Sequence, residues 1–529
     1  MRARRPLLGA LALPAALLAA ATGAAAQPVV LTPRLTLQSP NEATGSGSLF
    51  GGVAALGDLD GDGVSDVAVG AQSEAVNGVD GAGRAYVFSG ATGALVRTLQ
   101  SPNPEPNGRF GATAGLDDLD GDGIGDLAVA AQNEGAGRAY VFSGATWTVL
   151  RTLTSPAPQP DGRFGGVFRA SDLDGDAVDD VVVAAYREGG GRAYVISAAS
   201  GTVLRALDSP APESGAQFGF PAPLGDVDGD AVADLAIAAI GEDDHRGRVY
   251  LFSGATWTVL RTLLSPNAES FSQFGLDLEQ TEDVDGDGVD DLAVGASGEM
   301  ADRGRAYVFS GATGALVRTL QSPDPDDGGW YGYQLAALPD LDGDGVGELA
   351  VGSPYQRVAG LRSGAVHVVS LATGAVIAEA RSPAPEFNGG FGFSVAFVRG
   401  PEGRPGLAVG APYEDPPGSP DAAGRAYVFD LPVGPVGAEP PAASSGLALA
   451  VAPSPSAGAA VVTVSLGAVS AVRVAVVDGL GREVAVVHDG VLAAGRHRLG
   501  LPASLAPGVY AVRAASPAGD ATARLVVAR

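Results

Sequence analysis

Cysteine is absent from this 529-residue chain, and so is lysine; all 33 basic residues are arginine. Without cysteine there is no disulfide, no thiolate nucleophile, no thiolate-bound zinc and no lipidated cysteine anchor. Histidine is scarce, with four copies. No nucleophile can be paired with a base from so few, so the expectation is a protein that is not an enzyme. Aromatic residues make up 6% of the chain. Beyond the first residues no apolar run is long enough to span a bilayer, and no basic stripe is present to neutralise phosphates. Nucleic acid is therefore excluded as a partner.

What the chain has in excess is glycine, 78 residues, and acid, 60 residues against 33 basic, for a net charge of −27. The acid is not spread evenly. The stretch Asp58-Leu59-Asp60-Gly61-Asp62-Gly63-Val64-Ser65-Asp66 recurs six times in one register. Positions one, three, five and nine are Asp58, Asp60, Asp62 and Asp66 in the first copy, and Asp118, Asp120, Asp122 and Asp126 in the second. Asp172, Asp174, Asp176 and Asp180 follow, then Asp226, Asp228, Asp230 and Asp234. The last two are Asp283, Asp285, Asp287 and Asp291, and Asp340, Asp342, Asp344 and Glu348. These four positions hold 24 of the acids and leave 36 against 33 arginines, so the acidity is mainly ligand charge.

Carboxylates two apart on a glycine-bearing loop can converge on one hard cation. The peptide oxygen at position seven, from Val64, Ile124, Val178, Val232, Val289 or Val346, adds a fifth ligand. An all-oxygen set of this kind suits calcium; zinc prefers nitrogen and sulfur, and magnesium keeps most of its own water. Two other readings compete. An EF-hand loop ends in glutamate at position twelve between helices, whereas position twelve here is Val69 in a short apolar run. A metal-free acidic turn accounts for one copy but poorly for six. Six calcium sites are expected, and six near-identical sites argue for a structural ion.

The loops sit inside a larger repeat. An aromatic-glycine pair opens each of seven units at Phe50, Phe110, Phe164, Phe218, Phe274, Tyr331 and Phe391, 54 to 60 residues apart. Unit two reads as four short strands: Phe110–Leu116, Asp126–Ala131, Gly137–Ser143 and Trp147–Leu153. Four antiparallel strands per unit make a propeller blade. Unit seven lacks a fourth strand, whereas Arg34-Leu35-Thr36-Leu37-Gln38-Ser39-Pro40 matches the fourth strand of unit one at Val96–Pro102. The N-terminal strand, about 34–40, is thus expected to close blade seven. Unit seven has Val398–Pro405 in place of the acidic loop, so no metal is expected there.

Phe-Gly, an Asp-x-Asp-Gly-Asp-Gly loop and a Leu-Ala-Val-Gly-Ala-type strand together resemble the FG-GAP repeat of the integrin α-chain β-propeller. Gly410-Ala411-Pro412 keeps the second half of that name. The resemblance covers about 400 residues and implies a seven-bladed β-propeller over 27–431, with calcium bound in the acidic loops between first and second strands.

A Pro-, Ala- and Ser-rich linker, 432–446, leads to a small all-β domain, 447–529, expected to be an immunoglobulin-like β-sandwich. Asp478–Val484, Gly495-x-His497-x-Leu499 and Pro507-Gly508-Val509-Tyr510 make this domain similar to the C-terminal sorting domain of type IX secretion substrates. That family's early Pro-Asn-Pro reads here as Pro453-Ser454-Pro455. The resemblance implies the type IX secretion machinery as a partner. At the other end, basic Met1–Arg5, an apolar run and Ala24-Ala25-Ala26 read as a signal peptide, 1–26. The expected location is secreted or cell-surface, with no transmembrane segment in the mature chain.

Ligand recognition is expected on the face away from the metal loops, in the irregular connections Gln72–Ala82, Ser353–Ser363 and Pro412–Ala423. These carry Tyr355, Arg357, Arg362, Tyr413, Glu414 and Asp415. Trp330 and Tyr331 suggest a sugar-stacking platform, although Tyr331 fills the core slot of the repeat. His245 is a lone loop histidine, and His367 replaces the strand tyrosine of other units. The leading expectation is a calcium-binding adhesion or ligand-binding protein with an extracellular protein or glycan ligand. The alternative is a surface carbohydrate-binding module. A polysaccharide-acting or phospholipase-like enzyme is the weakest reading.

Overall fold

The computed structural model describes residues 28–41, 47–267, 269–324, 328–416 and 423–434 of the repeat region. In the C-terminal region it describes 447–452, 461–466, 470–477, 482–492, 495–500, 505–506, 508–516 and 519–527. The expected signal peptide, most of the expected linker, Pro453-Ser454-Pro455, Asp478–Gly481 and Pro507 lie outside the described residues. The chain divides into two units, Met1–Gly437 and Ala438–Arg529.

The first unit is built of seven antiparallel sheets of four repeat strands each, an all-β propeller. Blade two shows the pattern: Phe110–Gly115, Leu127–Ala131, Arg138–Phe142 and Val149–Thr154 pair in chain order. The second strand is buried along its whole length, whereas the outermost strand alternates between exposed and covered. That is the pattern of a sheet packed on both faces at its middle and open at its rim. Five of the seven blades turn one Phe, one Tyr and one Phe inward; blade three has Ile196 in the last place, and blade six has Tyr331, His367 and Val369. Phe50 packs 5.9 Å from both Tyr86 and Phe88, edge-on to the second.

Adjacent blades approach through glycine. A Cβ on Gly70 would stand 2.0 Å from the Gly111 carbonyl oxygen of the next blade, and one on Gly410 only 1.7 Å from that of Gly51. No side chain fits at those two positions, which explains their glycines.

The ring closes on the N-terminal strand. Pro33–Leu37 pairs antiparallel with Arg425–Asp430 and completes blade seven. Blade seven then docks on blade one. Phe50 N–H donates to the Ala423 carbonyl at 3.1 Å, and Ser65 N–H to that of Arg399 at 2.9 Å. Arg34 spans the junction, pairing with Asp430 at 2.8 Å and donating to the Gly90 carbonyl at 2.7 Å. Leu37, Phe50, Val67, Val398 and Val428 share one core cluster across it. One strand was not expected from the sequence: Val29–Val30 runs parallel to the outer strand of blade six, Val29 opposite Ala378. Its alternation is too short to read.

In the second unit Leu447–Ala452, Val461–Leu466 and Gly495–Gly500 form one antiparallel sheet. Glu483–Leu492, Ser470–Val477, Gly508–Ser516 and Gly519–Val527 form the other. Val472, Val474, Val476, Val512 and Ala514 are its buried core, with Leu499 of the first sheet against them. The two strands before Ser470 were not anticipated.

Candidate metal centres and ligand face

In every blade from one to six the acidic loop joins the first strand to the second, and its backbone is folded around its own carboxylates. Asp58 Oδ1 accepts from Gly61 N–H at 2.7 Å, and its Oδ2 from Gly63 N–H at 2.8 Å. Asp62 Oδ1 accepts from Val64 N–H at 2.9 Å. Asp118, Asp172, Asp226, Asp283 and Asp340 repeat the first contact at 2.6–2.7 Å. These turns need left-handed backbone: Gly61 and Gly63 have φ of +80° and +86°. Loops three and four depart, with Ala177 and Ala231 at φ +69° and +72° in the second glycine's place.

Position nine differs from the other three. Asp66 is fully buried and accepts from Leu59 N–H and Gly90 N–H, both at 3.0 Å. Asp126, Asp234 and Asp291 do the same. Burial pushes Asp66, Asp180 and Asp291 up to about 6 and Glu348 up to about 8, and the neighbouring loop carboxylates add to the rise. Asp118 and Asp226 are shifted down instead, by the N–H groups of Gly123 and Ala231 first of all.

Ligand atoms of Asp340, Asp342, Asp344 and Glu348 all lie within 4.8 Å of one another. So do those of Asp58, Asp60 and Asp62; of Asp118, Asp120 and Asp122; of Asp172, Asp174 and Asp180; and of Asp226, Asp228 and Asp230. Asp283, Asp285 and Asp287 carry the same backbone hydrogen bonds as the others. The donor set is all oxygen and strongly like-charged, with a fourth carboxylate held at the base. These residues fit a hard divalent cation, which would supply the charge the cluster lacks. In unit seven Pro401–Gly403 forms a 3-10 turn whose single carboxylate, Glu402, pairs with Arg404 at 3.1 Å.

The opposite face holds a network that the sequence reading missed. The third residue after each second strand is Glu74, Glu134, Glu188, Glu242, Glu299 or Glu414, all buried, with Gln356 in blade six. Each glutamate accepts from the strand-three tyrosine: Tyr86, Tyr140, Tyr194, Tyr250, Tyr307 or Tyr427, at 2.5–2.6 Å. Ser39, Ser209 and Ser265, from the Ser-Pro ends of the preceding fourth strands, donate to Glu74, Glu242 and Glu299. The fixed three-residue offset was the available signal. Glu414 is thus a buried structural group and not a ligand-face residue. Burial first raises its pKa to about 7.

Tyr331 and His367 are likewise core, 5.8 Å apart, and burial lowers His367 to about 4. His245 stacks on Phe271 at 5.2 Å. Trp330, Tyr355, Arg362 and Tyr413 do come together, around an open cavity of about 480 Å³ between blades six and seven. Arg357 and Arg362 face each other across a small hairpin, Arg357–Val358 with Leu361–Arg362.

Comparison with known proteins agrees with this geometry. The FG-GAP repeat model matches residues 50–88, 110–142, 274–309 and 331–369. The chain is 28% identical to integrin alpha-5 of Xenopus laevis over 39% of its own length and 21% of that protein's. It is 31% identical to integrin alpha-PS2 of Drosophila melanogaster over 39% and 16%. With integrin alpha-4 of Xenopus laevis it shares 32% identity over 32% and 17%. The chain spans about a fifth of the length of these relatives. Sequence and fold together describe a β-propeller with four FG-GAP repeat matches and with similarity to integrin α chains.

Proposed function

We propose that the chain is an exported, calcium-stabilised adhesion propeller that binds an extracellular ligand on the face away from its metal loops. The observation that carries this reading is the fourfold carboxylate cluster of Asp340, Asp342, Asp344 and Glu348, with its counterparts in the other acidic loops. Calcium would be held in six loops by positions one, three, five and nine and by the position-seven peptide oxygens. Its role there is charge compensation. Each ion pins a connection whose carboxylates otherwise repel, and so fixes the spacing of the strands that carry the far loops.

Similarity to integrin α chains supports the adhesion role. The scarcity of histidine, and the use of the buried carboxylates as ligands and hydrogen-bond acceptors, speak against catalysis. Among the described residues no helix is long and apolar enough to cross a membrane. We assign the C-terminal unit to export by the type IX route, on Gly495-x-His497-x-Leu499 and Gly508-Val509-Tyr510.

Calcium removal tests the central claim. At free calcium ~100 times Kd, each independent site contributes ~2.7 kcal/mol. Calcium-free protein should therefore melt far below the calcium-loaded form and lose adhesion to its matrix. An unchanged melt after verified calcium removal refutes the structural role. Surface fractionation of the producing cell, with mass spectrometry of the mature termini, tests the export route.

A further inference from the structure

Fourteen aromatic residues lie outside the recurring Phe, Tyr and Phe positions of the blades, and six of them gather at one place: Trp330, Tyr333, Tyr355, Phe387, Phe393 and Tyr413. Trp330 comes from the connection between blades five and six, Tyr355 and Arg362 from the two-to-three loop of blade six. Phe387 and Asn388 come from the connection between blades six and seven, and Tyr413 from the two-to-three loop of blade seven. All these connections open on the face opposite the metal loops.

Five of the six rings contact one another in one cluster. Trp330 stacks on Tyr333 at 5.7 Å and 20°, and meets Tyr355 edge-on at 4.8 Å. Tyr333 packs 4.8 Å from Phe393, which meets Tyr413 edge-on at 5.9 Å. Phe387 is 69% exposed, the most exposed aromatic ring among the described residues. The guanidinium of Arg362 lies 4.8 Å over the Tyr355 ring, and its Nη2 donates to the Gly328 carbonyl at 2.8 Å. Asn388 N–H donates to the Arg362 carbonyl at 2.6 Å, which ties the two walls together. Asn388 Oδ1 and Arg362 Nε are buried with no hydrogen-bond partner among the described residues.

We propose that this cavity is a saccharide subsite, in which a pyranose ring lies against the exposed aromatic surface and its hydroxyls engage Arg362 and Asn388. The inference rests on the adhesion reading and names the ligand class for that same face. Three observations favour a sugar over a peptide. The lining is aromatic, with Trp330, Tyr355 and Tyr413 half-buried and Phe387 exposed, and a ring face suits the C–H face of a pyranose. At about 480 Å³ the space is wide and open, as a chain of sugars requires. The unmet polar atoms are one donor and one acceptor. A hydroxyl serves both from a single group, whereas a peptide must bring a backbone N–H and a C=O to the two atoms separately.

The test uses the full chain with saturating calcium. Binding of a neutral β-linked glucose trisaccharide, of trigalacturonate and of an acidic heptapeptide is read by calorimetry and tryptophan fluorescence. The expected result is binding of at least one saccharide, weakened tenfold or more by Trp330→Ala and by Arg362→Gln. Trp257→Phe, at a distant rim position, should leave it unchanged. Melting temperature controls for folding, and Arg362→Gln, on a surface hairpin, is the variant least able to disturb it. Stronger binding of trigalacturonate assigns the arginine to a sugar carboxylate, and equal binding assigns it to hydroxyls; both support a saccharide subsite. Saccharide binding indifferent to both substitutions, binding of the peptide alone, or no saccharide binding overturns it. Calcium-dependent adhesion that persists in such a case leaves the adhesion reading standing and removes only the saccharide site. Loss of adhesion in the wild type removes both.

Discussion

The Ser39 hydroxyl donates to the Glu74 carboxylate, across the seam where the N-terminal strand of blade seven meets blade one. Tyr86 donates to the same glutamate at 2.5 Å and Arg84 at 3.1 Å. The contact that elsewhere joins consecutive blades here joins the two ends of the ring. Ser39→Ala leaves a buried carboxylate oxygen short of a donor, and should cost about 1–3 kcal/mol. Deleting residues 28–40 exposes the edge of Arg425–Asp430, and the expected outcome is aggregation. Chemical denaturation of the point variant and light scattering of the truncation check both.

Blade six exchanges the whole network at once. Gln356 replaces the glutamate and accepts from Ser322 at 3.0 Å, while His367 replaces the tyrosine. Gln356→Glu alone buries a carboxylate without its tyrosine donor, and His367→Tyr alone brings a hydroxyl without its carboxylate. Each single change should destabilise by about 1–2 kcal/mol, and the double variant should recover most of that loss. Additive losses in a double-mutant cycle would show that the two positions do not act as a pair.

Ala177 and Ala231 occupy left-handed backbone where the other acidic loops have glycine. Ala177→Gly and Ala231→Gly should each stabilise the calcium-loaded protein by about 1 kcal/mol and tighten calcium at their own loops. The reverse change, Gly63→Ala at φ +86°, should weaken loop one. Melting curves across a calcium titration measure all three.

The position-nine acids set the pH response. Their ordinary values are 3.8 for aspartate and 4.5 for glutamate, whereas in the fold Asp66, Asp180 and Asp291 rise to about 6 and Glu348 to about 8. The calcium-free fold thus holds protons that the unfolded chain has released. Its stability falls as pH rises from about 4 to about 8. Glu414, raised to about 7, acts in the same direction. Calcium reverses the sign at the loops, because protons compete with it for the same oxygens. Calcium-free protein should melt higher at pH 5 than at pH 8, and the gap to the loaded form should narrow as pH falls. A gap constant over that range would contradict the assignment.

Repetition made much of this legible in the sequence. The Phe-Gly pairs, the acidic loops and the second strands recur because each blade must solve the same local problem, and local turn chemistry follows residue type. Even the circular closure could be read, since a strand missing at one end reappears at the other. Three things needed the tertiary structure. The buried glutamates look like ordinary loop acids until the fold brings a tyrosine of the next strand to each of them and a serine of the preceding blade to Glu74, Glu242 and Glu299. The glycines of the second strands look merely flexible until a carbonyl of the neighbouring blade stands 2.0 Å from the Cβ that Gly70 lacks. The aromatic cavity joins residues from four separate connections, and no periodicity links Trp330 to Tyr413. Sequence alone determined the repeat, its turns and its charge, which depend on neighbours along the chain. Packing between blades decided which acids are buried, which aromatics are exposed and where unmet hydrogen-bonding groups collect, because those depend on neighbours across it.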